Sequence, residues 1–169
     1  MNRIQITVLC LALAAVLAWL LLFYKSPPVD PEWALSGSAD VPAGAVTVRF
    51  TGTSTLLFSD GETRWMVDGW FSRPGPLRVL LGKVAPDLEA IERGLAANKV
   101  STLAAVFPMH SHYDHAMDAP EVARRTGAVL MGSESTANIG RGWGLPESRI
   151  QVVADRAPFQ LGRFVITPI

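Results

Sequence analysis

The 169-residue sequence predicts an α/β domain with a mixed sheet, preceded by a transmembrane helix. An uncharged apolar run over residues 6–24 predicts the helix. Alternating, β-branched segments between residues 46 and 67 predict antiparallel strands. From residue 86 onward, segments with helical periodicity alternate with short apolar runs, which is typical of layered α/β folds.

The composition is that of a folded and electrically balanced chain. Lys+Arg and Asp+Glu both number 15, so the formal net charge is zero, and 49% of the residues are hydrophobic. These values exclude general disorder and give no electrostatic reason to expect nucleic-acid binding. The single cysteine excludes an intramolecular disulfide framework and a cysteine-cluster metal site.

Residues 1–25 are predicted to form an uncleaved N-terminal signal anchor. A helix from Ile6 to Tyr24 would be about 28 Å long, close to the ~30 Å hydrocarbon core of a bilayer. The alternative is a cleaved signal peptide, but the run is longer than the apolar core of such a peptide. A buried helix of a soluble protein would be interrupted by polar residues, and nothing polar interrupts this run. Arg3 before the helix favours an extracytoplasmic location for the rest of the chain, whereas Lys25 weakly opposes it.

The next residues, 26–45, are rich in Pro, Ser, Gly and Ala and predict a linker, so a domain is expected over residues 46–169. Its strands are predicted at residues 46–51, 55–58, 63–67, 103–107, 128–131, 150–153 and 163–167. Its helices are predicted at residues 86–97, 118–127 and 133–139, with Asp118 as the N-cap of the second. The glycines Gly140, Gly142 and Gly144 predict a flexible surface loop.

Residues 70–83 contain two prolines and two glycines and predict a loop. Its cations, Arg73, Arg78 and Lys83, are either solvated or contact an anionic substrate. The preceding pair, Trp70 and Phe71, packs within the domain, forms an apolar lip over a cleft, or inserts near a membrane.

All three histidines fall in one motif, His110-x-His112-x-Asp114-His115, between a predicted buried strand and a predicted helix. Side chains two apart in an extended segment point the same way, so His110 and His112 are expected to reach one metal ion. Asp114 and His115 lie at the turn into the helix and are expected to serve a second ion. Imidazole and carboxylate ligands suit Zn²⁺, Fe²⁺ or Mn²⁺.

This motif after an apolar strand resembles the signature of the metallo-β-lactamase-fold hydrolases. The stretch Val46 to Asp68 also resembles the opening β-meander of that family. The resemblance implies an αββα sandwich of two similar halves, with two zinc ions in the complete protein, or iron or manganese instead. It implies that His110 and His112 bind the first metal and that Asp114 and His115 bind the second, with Asp114 as the catalytic residue that handles a proton.

The sequence departs from the family after the motif. The family takes a further histidine, a bridging aspartate and a last histidine from its second half, but no histidine comes after His115. The chain is therefore expected to hold the first half only, to be the N-terminal part of a longer protein, and to be inactive as a truncated chain.

Two further residues near the motif have open alternatives. Asp68, at the end of a predicted strand, either orients a ligand imidazole or simply forms a turn with Gly69. Tyr113, inside the motif, either lines a pocket or packs on the following helix.

The expected function is that of a membrane-anchored, metal-dependent hydrolase. A metal-bound hydroxide would attack an ester, lactone, amide or phosphodiester bond of a small-molecule or lipid-like substrate. The alternative is a non-catalytic or regulatory binding module with an incomplete metal site. The membrane, reached through the N-terminal helix, is the expected partner, no nucleic acid is expected, and the sequence leaves the oligomeric state open.

Overall fold

The structure, a computed structural model, describes residues 2–23, 41–42 and 44–169. It divides into two compact units, residues 1–39 and 40–169. Most of the predicted linker, and the anchor residues Tyr24 and Lys25, lie outside the described residues.

In the described part of the first unit, residues 2–23, one helix, α1, spans Arg3–Phe23. Asn2 and Gln5 start it with a reciprocal capping box, in which each side-chain oxygen accepts the other residue's backbone N–H at 2.9 Å. No residue of α1 is buried, and an 18-residue stretch of it has a mean hydropathy of 2.8. It is therefore long and apolar enough to cross a membrane, a property that signal sequences share.

The second unit is built on a six-stranded sheet whose spatial order is the order of its strands in the chain. Strands β1 to β3 pair antiparallel, and β3 to β6 pair parallel. The strands are β1 (Thr47–Gly52), β2 (Thr55–Ser59), β3 (Arg64–Val67), β4 (Ala105–Phe107), β5 (Val129–Gly132) and β6 (Ile150–Val152). The predicted α/β class and mixed sheet are confirmed.

Five helices and a second, smaller sheet complete the described part of this unit. The helices are α2 (Pro76–Leu81), α3 (Leu88–Ala97), α4 (Tyr113–Ala116), α5 (Ala119–Thr126) and α6 (Glu134–Gly142), and a 3-10 turn spans Glu147–Arg149. The small sheet is the antiparallel hairpin of β7 (Phe159–Leu161) and β8 (Phe164–Ile166).

One face of the large sheet forms the core with α3 and α5. The register places one side chain from each of four strands in a continuous row: Leu57, Met66, Val106 and Leu130. All four are buried, and the α3 residue Ile91 and the α5 residue Val122 belong to the same cluster and are fully buried. Alternate residues of these strands thus face the core, where they pack against one apolar face of α3 and one of α5.

The opposite face of the sheet is aromatic. Trp65 stacks on Phe58 with ring centroids 4.2 Å apart and packs edge-on against Phe107 and the β8 residue Phe164. Phe107 also stacks on Phe159 of β7 at 5.7 Å. The small hairpin therefore covers this face through aromatic contacts.

Several local predictions were wrong. The loop predicted over residues 70–83 contains helix α2, and β7 was not predicted at all. Gly140 and Gly142 are in α6 and not in a surface loop, and a Cβ at Gly140 would lie 2.7 Å from Leu130. The missing side chain thus lets α6 pack closely on the sheet.

Candidate metal centre

The candidate metal residues lie at one edge of the large sheet. Asp68 directly follows β3, and His110 to His115 follow β4 through a short connection. Because β3 and β4 are parallel neighbours, their carboxyl ends meet at this edge. This is the edge at which open α/β sheets hold their ligands.

Three of the predicted ligands converge on a common point. The Nε2 atom of His110 lies 3.1 Å from Nδ1 of His112. One ligand atom from each of His110, His112 and Asp114 fits within a set whose members are all within 4.8 Å of one another. Asp114 therefore groups with both histidines, and the division of the four side chains between two ions remains a prediction.

The fourth predicted ligand, His115, borders this group and is tied to the buried carboxylate of Asp68. Its ring centroid is 4.0 Å from that of His110, and its Nε2 atom is 3.8 Å from Oδ2 of Asp114. Its other nitrogen, Nδ1, lies 2.8 Å from Oδ2 of Asp68. A carboxylate at Nδ1 holds the ring in place and leaves Nε2 for a ligand, which is how metal-binding histidines are commonly oriented.

Local backbone geometry fixes Asp68 in this role. Its φ of 60° is in the left-handed region, and its backbone N–H donates to the carbonyl of Phe107 at 2.9 Å. The Oδ1 atom accepts the N–H of Met109 at 2.8 Å. The Asp68 carboxylate therefore contacts both the residue before the motif, Met109, and its last residue, His115. Of the two interpretations of Asp68, the structure thus favours the orientation of an imidazole over a simple turn.

The donor set fits a divalent transition metal. Two nitrogen ligands of a tetrahedral zinc ion, each at about 2.0–2.1 Å, lie about 3.3 Å apart, close to the 3.1 Å between the facing nitrogens of His110 and His112. Both histidines are exposed, and among the described residues neither ring has a hydrogen-bond partner beyond the pair itself. These side chains thus have no visible structural role that would compete with metal binding.

Three hydroxyl groups support the motif from below and were missed by the sequence analysis. The Ser111 hydroxyl lies 3.1 Å from that of Ser133 and 3.0 Å from that of Thr136. Ser133 is the N-cap of α6, and its hydroxyl accepts the N–H of Thr136. The start of α6 thereby fixes the backbone between His110 and His112, a contact between residues too distant in sequence to be read from any local pattern.

Asp118 is anchored differently from the prediction. It precedes α5, but its side chain makes no capping hydrogen bond. Instead Oδ2 accepts the N–H groups of Phe71 and Ser72 at 2.7 Å each, and Oδ1 accepts the Ser72 hydroxyl at 2.6 Å. Burial raises the pKa of Asp118, while these hydrogen bonds act in the opposite direction. The carboxylate thus fastens the segment after β3 to the start of α5.

The aromatic residues Tyr113, Trp70 and Phe71 near the candidate metal centre lie in different environments. The Tyr113 ring is 40% exposed and meets Trp70 edge-on at 6.3 Å. Phe71 is buried in the core, where a Cβ on Gly94 of α3 would clash with its ring. Of the alternatives for Phe71, packing within the domain is therefore the one the structure shows.

A largely apolar cavity of about 370 Å³ adjoins the motif. Its wall includes Pro108 and Met109, immediately before His110, and Ser133, whose hydroxyl contacts Ser111. The aromatic face of the sheet supplies Trp65 and Phe107. Ligand sites are typically concave and apolar with a few polar groups at one side, and this cavity has that character.

Comparisons with known proteins identify the fold. No protein-family model matches the sequence, and no curated protein matches it. The metallo-β-lactamase SMB-1, solved in a complex with mercaptoacetic acid, is 19% identical, with a TM-score of 0.50 over 70% of this chain and 48% of that one. Igni18, a metallo hydrolase from Ignicoccus hospitalis KIN4/I, is 22% identical, with a TM-score of 0.48 over 69% of this chain and 42% of that one.

A third neighbour, MEM-A1, is a subclass B3 metallo-β-lactamase from a soil metagenome library. It is 19% identical, with a TM-score of 0.48 over 72% of this chain and 47% of that one. The chain thus spans about half the length of these solved structures. On the likeness to SMB-1, this chain has the metallo-β-lactamase fold.

Proposed function

We propose that this chain is part of a membrane-anchored, metal-dependent hydrolase. The observation that carries the proposal is the convergence of His110, His112 and Asp114, with His115 held beside them by the buried carboxylate of Asp68. The fold, whose solved examples include the metallo-β-lactamase SMB-1, supports the same class of reaction.

In the proposed mechanism the four side chains of the motif, His110, His112, Asp114 and His115, would hold zinc, with iron or manganese as alternatives. A divalent metal held there would lower the pKa of coordinated water and would stabilise developing negative charge on the substrate. The proposal assigns the handling of a proton to Asp114, whose side chain is 41% exposed and lies 3.8 Å from Nε2 of His115.

The cavity beside the motif supports a substrate with an apolar part. Trp65, Phe107 and Met109 offer apolar surface next to the polar motif, which suits a small-molecule or lipid-like substrate with a hydrolysable ester, lactone, amide or phosphodiester group. Helix α1 supports attachment to a membrane, and Arg3 at its first position supports an extracytoplasmic domain.

A binding module is the second candidate. It is favoured by the fact that the motif already contains every histidine of the chain, so no further imidazole from these 169 residues is available to a second metal. Such a module would bind metal and ligand without turnover.

The test begins with metal binding by the full chain in detergent. Equilibrium dialysis against zinc, with metal content measured after removal of excess, is expected to give bound zinc that is lost in His112→Ala and retained in Arg156→Gln, an exposed control. Hydrolysis of p-nitrophenyl esters, a lactone and bis-p-nitrophenyl phosphate is then measured with and without zinc.

Zinc-dependent turnover that His112→Ala abolishes supports the hydrolase and contradicts the expectation that these 169 residues alone are inactive. Stoichiometric zinc without turnover supports a metal site in this chain, either of the binding module or of a hydrolase whose site needs further residues. A well-folded chain that retains no zinc contradicts both candidates.

A further inference from the structure

Residues 73–86 form a surface loop, here named the apolar loop, whose two ends lie close together. The Ser72 hydroxyl accepts the backbone N–H of Asp87 at 2.6 Å, which joins the two ends of the loop. No residue from Arg73 to Pro86 is buried. A surface loop of this length with joined ends is an Ω-loop, a class that frequently carries function.

The loop carries its apolar side chains outward, on helix α2. Leu77, Leu80 and Leu81 are 61%, 79% and 75% exposed, and no residue of α2 is buried. Single exposed leucines are ordinary in soluble proteins, but three on one six-residue helix with no buried residue form an exposed apolar surface.

The charged residues within the apolar loop all have one sign. Arg73, Arg78 and Lys83 lie in the loop, and residues 69–86 contain no Asp or Glu. The backbone carbonyl of Thr51 holds the Arg73 guanidinium at 2.9 Å, whereas no side-chain hydrogen bond or ion pair of Arg78 or Lys83 is seen among the described residues. Apolar side chains flanked by cations suit the boundary between anionic headgroups and acyl chains.

The base of the loop is rigid enough to present this surface in a fixed direction. Asp118 accepts three hydrogen bonds from Phe71 and Ser72, just before the loop begins. The Phe71 ring is buried against α3, and Asp87 caps that helix where the loop ends. Both ends are therefore fastened to the core while the tip is free.

We infer that the apolar loop docks on an anionic bilayer surface, with Leu77, Leu80 and Leu81 at the acyl boundary and Arg78 and Lys83 among the headgroups. The inference rests on the proposed membrane anchoring through α1. Residues 24–46 reach at most about 80 Å when fully extended, so an anchored domain stays at a high effective concentration next to the bilayer.

A second copy of the chain fits this surface less well than lipid. Two facing loops would bring Arg78 and Lys83 against their own counterparts without a carboxylate in either loop, and like charges oppose such a contact. Anionic lipid offers the complementary charge.

The test uses the full chain in liposomes, in a Cys10→Ser background. A nitrobenzoxadiazole (NBD) label is placed at Leu80→Cys, and in a matched control at Val165→Cys, which is 72% exposed on β8. Liposomes contain phosphatidylcholine with zero or 30% phosphatidylglycerol, and brominated lipids serve as quenchers. We expect at least threefold stronger quenching and a blue-shifted emission at position 80 than at 165, rising with anionic lipid and falling with salt.

A charge variant tests the headgroup contacts. Arg78→Gln with Lys83→Gln is expected to reduce quenching at position 80 at least twofold, whereas the exposed control pair Arg93→Gln with Arg156→Gln is not. Circular dichroism checks that each variant is folded, and flotation on a density gradient checks the anchor separately.

The outcomes are distinguishable. Chains that float with liposomes but show equal, weak quenching at positions 80 and 165 overturn loop docking and leave the anchor intact. Chains that fail to float overturn the anchor, and the docking inference with it. Disulfide-linked dimers of the unlabelled Leu80→Cys chain, together with no quenching in the labelled chain, would assign the surface to a second copy and overturn the inference.

Discussion

Nδ1 of His115 lies 2.8 Å from Oδ2 of Asp68, although the two residues are 47 positions apart in the chain. The contact exists because β3 and β4 are parallel neighbours whose ends meet at one sheet edge. The Asp68 side chain is fully buried, whereas that of His115 is 18% exposed. The buried Asp68 carboxylate thus fixes the orientation of the His115 ring at the surface.

The first prediction concerns this control. Asp68→Asn retains an oxygen for the N–H of Met109 but removes the negative charge at Nδ1 of His115. We expect zinc affinity to fall about 10- to 100-fold, the usual effect of removing a carboxylate behind a metal-binding histidine. Competition with a chromogenic chelator measures the change. Asp155→Asn, at a side chain that is 74% exposed, is the control and should retain the parent affinity.

The second prediction concerns Glu121 of α5, whose side chain is only 1% exposed. Hydrogen bonds from Arg124, together with those from Arg125 and Trp143, outweigh the effect of burial and lower the pKa of Glu121 from 4.5 to about 2. Because the folded-state pKa lies below the unfolded one, the stabilisation is complete above about pH 4.5 and is lost as the pH falls towards 2.

We therefore expect Glu121→Gln to lower the free energy of unfolding at pH 7 by on the order of 2 kcal/mol. The difference from the parent should shrink between pH 4.5 and pH 2.5, because protonation then removes the same charge from the parent. Denaturant unfolding in a non-ionic detergent, at a series of pH values, measures it. Glu89→Gln, at an exposed i,i+4 pair with Arg93, should change the free energy by less than about 0.5 kcal/mol. A constant difference across this pH range would contradict the assignment.

The third prediction concerns the contact between α3 and the segment after β3. Gly94 is inside α3, where alanine would ordinarily stabilise a helix by up to about 1 kcal/mol. An added Cβ would clash with the buried Phe71 ring. We expect Gly94→Ala to destabilise the domain by about 1–3 kcal/mol, because overpacking outweighs helix propensity.

Gly142 provides the matched control for this substitution. It is the last residue of α6, and a Cβ there would meet nothing within 4 Å. Gly142→Ala should be neutral or stabilising by up to about 1 kcal/mol. Equal thermal shifts for the two variants would show that the Phe71 contact does not limit the space at Gly94.

The fourth prediction concerns Asp118. Asp118→Ala removes the acceptor for two backbone N–H groups and one hydroxyl at the base of the apolar loop. We expect a loss of about 2–4 kcal/mol in the free energy of unfolding, because buried donors are left without partners. Hydrogen exchange at the amides of Phe71 and Ser72 should accelerate more than exchange in β5. Protection of those two amides that matches the parent protein would rule out the anchoring role.

The sequence predicted those secondary-structure elements that have a clear hydrophobic period or a clear turn at one end. The β-branched segments around Val48 and Leu57 and the turn at Gly61 predict the first strands, and the structure has β1, β2 and β3 there. The apolar run before Pro108 is β4. The motif from His110 to His115 was found in the sequence because its chemistry is local and its spacing is short.

What the sequence could not supply depends on tertiary contacts. Asp118 occupies a typical N-cap position, yet its carboxylate accepts the N–H groups of Phe71 and Ser72, which come 47 and 46 residues earlier. Backbone N–H groups removed from water require an acceptor, and Asp118 supplies it. The prolines and glycines of residues 70–83 predict a loop, but Pro76 sits in the first turn of α2, where proline is compatible with a helix. The Ser111–Thr136 contact likewise depends on where α6 begins.

The order of the large sheet has a consequence for how the domain is made. Every strand from β2 to β6 pairs with the strand that was synthesised just before it. A nascent chain can therefore extend the sheet by one strand at a time, and each new edge is covered by the next segment to emerge. The antiparallel strands β1 to β3 pair through short turns, whereas each parallel pairing from β3 to β6 must close a connection that contains a helix and is therefore the slower step.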